Sequence, residues 1–140
     1  MGFTKKTAEE FFTRLARAKV RRIIDIRLNN VSQLAGFAKR DDLRYFLRTI
    51  GGIDYVHRPD LAPTQDILDA YKKNKGDWSL YEQDFLALLS ARKVADKIQP
   101  DLLQDACLLC SEAKPLHCHR RLVAEYIHEK WPNIEIHHID

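Results

Sequence analysis

Ala106-Cys-Leu-Leu-Cys110-Ser-Glu-Ala-Lys-Pro-Leu-His-Cys118-His119-Arg120-Arg121 decides how this chain folds. An apolar run of strand length gives way to a polar loop, and an amphipathic segment over residues 122–131 follows. That succession is a buried strand handing over to a helix. In an α/β protein such a junction places a ligand near unpaired helix N–H groups and the positive end of a dipole. Two of the three cysteines, two of the six histidines and an arginine pair fall in the twelve residues from Cys110 to Arg121.

Working outward, the same alternation recurs. Thr7-Ala-Glu-Glu10 reads as a capping box that opens a helix through about residue 18, with Phe11, Phe12 and Leu15 on its inner face. Residues 20–26 read as a buried strand, rich in β-branched Ile23, Ile24 and Ile26 but interrupted by Asp25. A helix over residues 41–50 is stopped by Gly51-Gly52. Residues 53–57 form the next strand, and two prolines make residues 58–63 a loop. Thr64 caps a third helix, and Ser79-Leu-Tyr-Glu82 reads as a second capping box. Residues 95–103 are helical with a break at Pro100, and residues 134–139 read as a closing strand.

Strands alternating with helices predict an α/β fold in three layers. The expected sheet is mostly parallel and Rossmann-like, with about four to five strands flanked by helices. Residues 1–140 carry no repeat, low-complexity tract or linker, so one domain is expected. Ligands of such sheets gather at the carboxyl ends of strands. Asp25/Arg27, His57/Arg58 and Cys110 with its loop all lie there, and their convergence is the central structural expectation.

Composition narrows the setting. A hydrophobic fraction of 45% beside 31% charged residues suits a globular domain, and no apolar run approaches the roughly 20 residues of a membrane span. Three cysteines do not make a disulfide framework, so a reducing cytoplasm is the expected location. The net charge of +3 is uneven, with 13 Lys/Arg against 7 Asp/Glu in residues 1–60. Lys5, Lys6, Arg14, Arg17, Lys19, Arg21 and Arg22 form either a basic face for phosphates or a solvated face paired with Glu9 and Glu10.

These motifs resemble a known family. Ile24-Asp25-Ile26-Arg27 with Asn29, Asn30 and Ser32, then Tyr55-Val56-His57 with Leu61-Ala62-Pro63, and finally Leu109-Cys110-Ser111-Glu112 with Cys118-His119-Arg120-Arg121 are similar to the domain-of-unknown-function family number 488 over nearly the whole chain. The resemblance implies a compact α/β domain of bacterial or archaeal type and no established activity. Members usually begin with a short strand before the equivalent of Phe3-Thr4. Against that pattern either the sheet here lacks a strand, leaving an edge open to pairing in a homo-oligomer, or the native chain begins upstream of Met1.

The chemical groups leave alternatives open. Cys118, beside a helix start and His117, His119, Arg120 and Arg121, is either a low-pKa nucleophile or a small packing residue. His119 or His57 would handle protons, and Glu112 is divided between acid/base work and loop structure. Arg27 and Arg120, with Ser32 and Asn29, are placed for an anion such as phosphate. The loop has no glycine, so it is not a usual phosphate cradle. Asp25 pairs structurally with Arg27 or orients a ligand-facing group, and Cys110 supports the loop. Cys110, Cys118 and His119 resemble zinc ligands, with His57 or Asp25 as a fourth, but no metal is expected. Cys107 is read as core, as are Trp78, Tyr81 and Trp131. The expected partner is an anionic, nucleotide-like small molecule, with a nucleic acid or a scaffold role as alternatives and no cofactor named.

Overall fold

The computed structural model describes residues 1–31 and 35–140, so Ser32 lies outside the described residues. Helix α1 (Ala8–Arg17) begins where the sequence places it: Thr7 accepts from Glu10 N–H, and the Glu10 carboxylate accepts from Thr7 N–H. Strand β1 (Arg22–Asp25) follows, then α2 (Arg40–Gly51), which ends at Gly52 with φ 59°. Strand β2 (Asp54–His57) and α3 (Gln65–Lys73), capped by Thr64, come next. Helix α4 (Trp78–Ala91) is capped by the Asp77 side chain and not by Ser79. Two short helices, α5 (Val94–Lys97) and α6 (Pro100–Leu103), lead to β3 (Ala106–Leu109) and α7 (His119–Lys130).

Among the described residues the open sheet has three named strands, all parallel, in the order β2-β1-β3. Ile23 packs with Phe11, Leu15, Leu43 and Leu47 from α1 and α2. Ile24 and Ile26 turn to the other face, against Phe85, Leu89, Leu122 and Ile127 of α4 and α7. Alternate residues of β1 thus serve two cores, which is why the strand is apolar on both faces. Cys107 lies buried in the α1/α2 layer, as expected of a core residue.

One expected strand does not form, and the amino-terminal one is cut short, as the sequence reading expected. Residues 1–4 make only a bridge, Gly2 beside Cys110, although their bonds run on along β3: Cys110 N–H donates to the Met1 carbonyl and Thr4 N–H to that of Ser111. Residues 134–139 adopt no strand. They line a groove together with Ala106, Cys107 and Leu108 and pair with no strand among the described residues. The expected four to five strands therefore become three, with one bridge at the edge. No helix among the described residues is long and apolar enough to cross a membrane.

Candidate functional site

Parallel register aligns the three strand ends: Asp25 stands beside His57 on one flank and Leu109 on the other. The chain leaves β1 for β2 on one side and later for β3 on the other, which makes the end of β1 a topological switch point. A crevice of about 340 Å³ opens there. Arg27 and Asn29 reach it from β1, Pro63 and Gln65 from the segment after β2, and Glu112, Cys118 and His119 from the loop after β3.

One side of the crevice is aromatic. Trp78, the first residue of α4, stacks on Tyr81 at 4.8 Å and on His117 at 5.0 Å, with interplanar angles of 20° and 19°. The buried Trp78 indole N–H has no hydrogen-bond partner among the described residues. Sequence reasoning assigned Trp78 and Tyr81 to the core; their ring stack with His117 joins two distant elements, and no spacing rule signals it.

The buried charges under the crevice are paired. Arg27, 2% exposed, donates from Nε to Asp25 Oδ1 at 2.8 Å and from Nη2 to Oδ2 at 2.7 Å, while its Nη1 donates to the Ala38 carbonyl. Tyr55 also donates to Asp25, and Asn30 donates to the Tyr55 oxygen at 3.1 Å. Burial, followed by the bond to Asp25, pushes the Tyr55 phenol up. The guanidinium of Arg27 is thereby turned to protein acceptors, the structural arrangement that the sequence left as one alternative.

Both candidate histidines hold β1. The Nε2 of His57 meets the Arg27 carbonyl at 2.9 Å, and the Nε2 of His119 meets that of Ile26 at 2.8 Å. A carbonyl only accepts, so each ring carries a proton on Nε2. Burial lowers the His119 pKa to about 4, which keeps that ring neutral near pH 7. His57 is not among the described residues lining the crevice.

The loop is built around Arg120. Its Nη1 donates to the Glu112 carbonyl and lies 2.9 Å from Cys110 Sγ and 3.7 Å from Cys118 Sγ, while Nη2 reaches the Ala113 carbonyl at 3.4 Å. Arg120 sits in the first turn of α7, which begins at His119, next to Cys118 as the sequence reading expected. Cys110 and Cys118 are both buried, with their sulfurs 2.6 Å apart. Burial pushes the Cys110 thiol up, but the hydrogen bond from Cys118 and the Arg120 charge outweigh it and bring it down to about 7. The same bond to Cys110, then burial, pushes Cys118 up. Arg120 Nη1 lies closer to Cys110 than to Cys118, so its charge favours a thiolate on Cys110.

Among the described residues no group of three or more His, Cys, Asp and Glu side chains is arranged to hold a metal ion. The model of the family described as Domain of unknown function DUF488 matches residues 7–127, and the chain belongs to that family. No curated protein and no solved structure matches it.

Proposed function

With membership of a family whose description assigns no activity as the premise, we propose that the crevice binds a small anionic, nucleotide-like molecule. The supporting observation is Trp78: a stacked indole on the crevice wall whose buried N–H has no partner among the described residues. A buried donor left unpaired costs on the order of 1–3 kcal/mol, which a ligand acceptor would recover. A planar base suits the aromatic wall, with stacking worth about 1–3 kcal/mol. The start of α7 supplies a positive dipole end for the anionic group, and the Cys118 side chain makes no capping bond there.

In this reading Asn29 and the neutral His119 contribute to polar recognition, with His119 Nδ1 as an acceptor. Glu112 stands at the exposed rim, where its carboxylate can orient a ligand hydroxyl. Arg120 acts on the ligand through the loop that it holds, and Arg27 through the end of β1. Use of Cys118, Glu112 or either histidine in a reaction is a further step of the proposal. The nucleic-acid alternative draws less support. Arg22, one of its basic residues, is engaged with Asp54 and the carbonyls of Asp101 and Leu102.

Calorimetric titration of the protein with adenosine monophosphate, adenosine and inorganic phosphate tests the reading. Nucleotide binding that weakens about tenfold or more in Trp78→Phe, which keeps a ring and deletes the N–H, is the expected result. No heat with any of the three compounds would reject a nucleotide-like ligand.

A further inference from the structure

Beneath the crevice, the two buried sulfurs form a site that ligand binding does not use. Cys110 directly follows β3 and Cys118 directly precedes α7, so the two side chains stand at opposite ends of one loop. Their sulfurs are 2.6 Å apart, and Arg120 lies against both. Neither has a nearby His, Asp or Glu arranged with it as a third metal ligand among the described residues. Cys118 lines the crevice and Cys110 lies fully buried behind it, so a molecule scarcely larger than water approaches Cys110 from the Cys118 side.

We propose that Cys110 and Cys118 are a redox-active dithiol that is oxidised to an intramolecular disulfide by hydrogen peroxide. The Cys110 thiolate attacks one peroxide oxygen: an S–O bond forms, the O–O bond breaks and hydroxide leaves. That hydroxide takes up the proton which Cys110 had released, giving water. Cys118 then attacks the Cys110 sulfur; the S–S bond forms, the S–O bond breaks, and the second hydroxide leaves with the Cys118 proton as water. The two thiols lose two electrons and peroxide is reduced to two waters.

The geometry supplies what each step needs. The Arg120 guanidinium stabilises the attacking thiolate, and Cys118 stands in place as the resolving thiol. Cys107 is an internal control. It is buried in the α1/α2 layer, with its sulfur directed to the neighbouring Leu108 carbonyl.

The test uses the whole protein, reduced and then exposed to hydrogen peroxide, with peptide mapping under non-reducing conditions. A Cys110–Cys118 linked peptide is expected. It should form roughly tenfold faster than any oxidation of Cys107 and revert with a small dithiol. In Cys118→Ser the expected product is a sulfenic acid on Cys110, trapped by a carbon nucleophile. Three results would overturn the proposal: both thiols still free for alkylation after unfolding, sulfinic acid at either residue without a link, or a link through Cys107. The map of the unaltered protein decides the matter even if Cys118→Ser does not fold.

Discussion

Gly2 and Glu112 are in backbone contact so close that a Cβ on Gly2 would lie 1.6 Å from the Glu112 carbonyl oxygen and 2.8 Å from Arg120 Nη1. The amino-terminal segment thus packs directly on the carbonyl that Arg120 holds. Gly2→Ala must push the loop away and loosen that bond. We expect a loss of about 1–3 kcal/mol in urea unfolding, the usual cost of overpacking. A change below about 0.5 kcal/mol would show that the loop yields freely.

Removing one partner of the buried Asp25–Arg27 pair should be more damaging. Arg27→Met leaves a fully buried carboxylate with only Tyr55 and the Arg27 backbone N–H as donors among the bonds described. A loss of about 3–5 kcal/mol is expected. Asp25→Leu combined with Arg27→Met should recover a large part of it, because no charge is then stranded. Equal instability of the single and double variants, measured by urea midpoints, would refute an uncompensated charge as the cause.

His119 gives a defined acid response. Its folded pKa is lowered to about 4 by burial, whereas an unfolded histidine titrates near about 6.5. Between those values the unfolded chain binds more protons. Stability is therefore full above about pH 6.5 and falls as pH drops towards about 4. The total is up to about 3 kcal/mol. His119→Gln can still donate to Ile26 but cannot titrate, so its stability profile should be flatter over this window. Parallel profiles for the two proteins would contradict the assignment.

Thiolate ultraviolet absorbance should reveal the sulfur pair directly. In Cys107→Ala, where only the pair remains, one thiolate is expected to titrate at about 7. Arg120→Gln removes the neighbouring charge and should move that titration upward by about one unit or more. An unmoved titration would mean that Arg120 does not stabilise the thiolate.

Much of this architecture was legible where one segment carries its own signal. The Thr7–Glu10 box, the β-branched Ile23-Ile24 run and the Gly51-Gly52 stop each name a local conformation. The alignment of strand ends followed from parallel topology, which brought Asp25, His57 and the Cys110 loop to one edge. Residues 134–139 failed because strand formation needs a neighbour as well as an alternating pattern. Ser79 was chosen over Asp77 because both are good caps two residues apart, and Trp78 entering the helix decides between them. The placing of the two sulfurs around Arg120 was not legible for a similar reason. Proximity to a helix start is visible in sequence, but which sulfur lies nearer Arg120 Nη1 is set by tertiary packing.

The central place of β1 also bears on how the molecule assembles. Both of its partners come later in the chain, and β3 comes only after four further helices. Each ladder must close a long loop before it gains a contact, which is the topology of slow, non-local folding. A chain lengthening from its amino terminus pairs β1 with β2 first and leaves the other edge of β1 bare until β3 arrives. Three of the groups that meet at the crevice, Glu112, Cys118 and His119, are therefore in place only in the last stage of folding. A polypeptide halted before β3 would be an edge-exposed intermediate, open to aggregation and without the site.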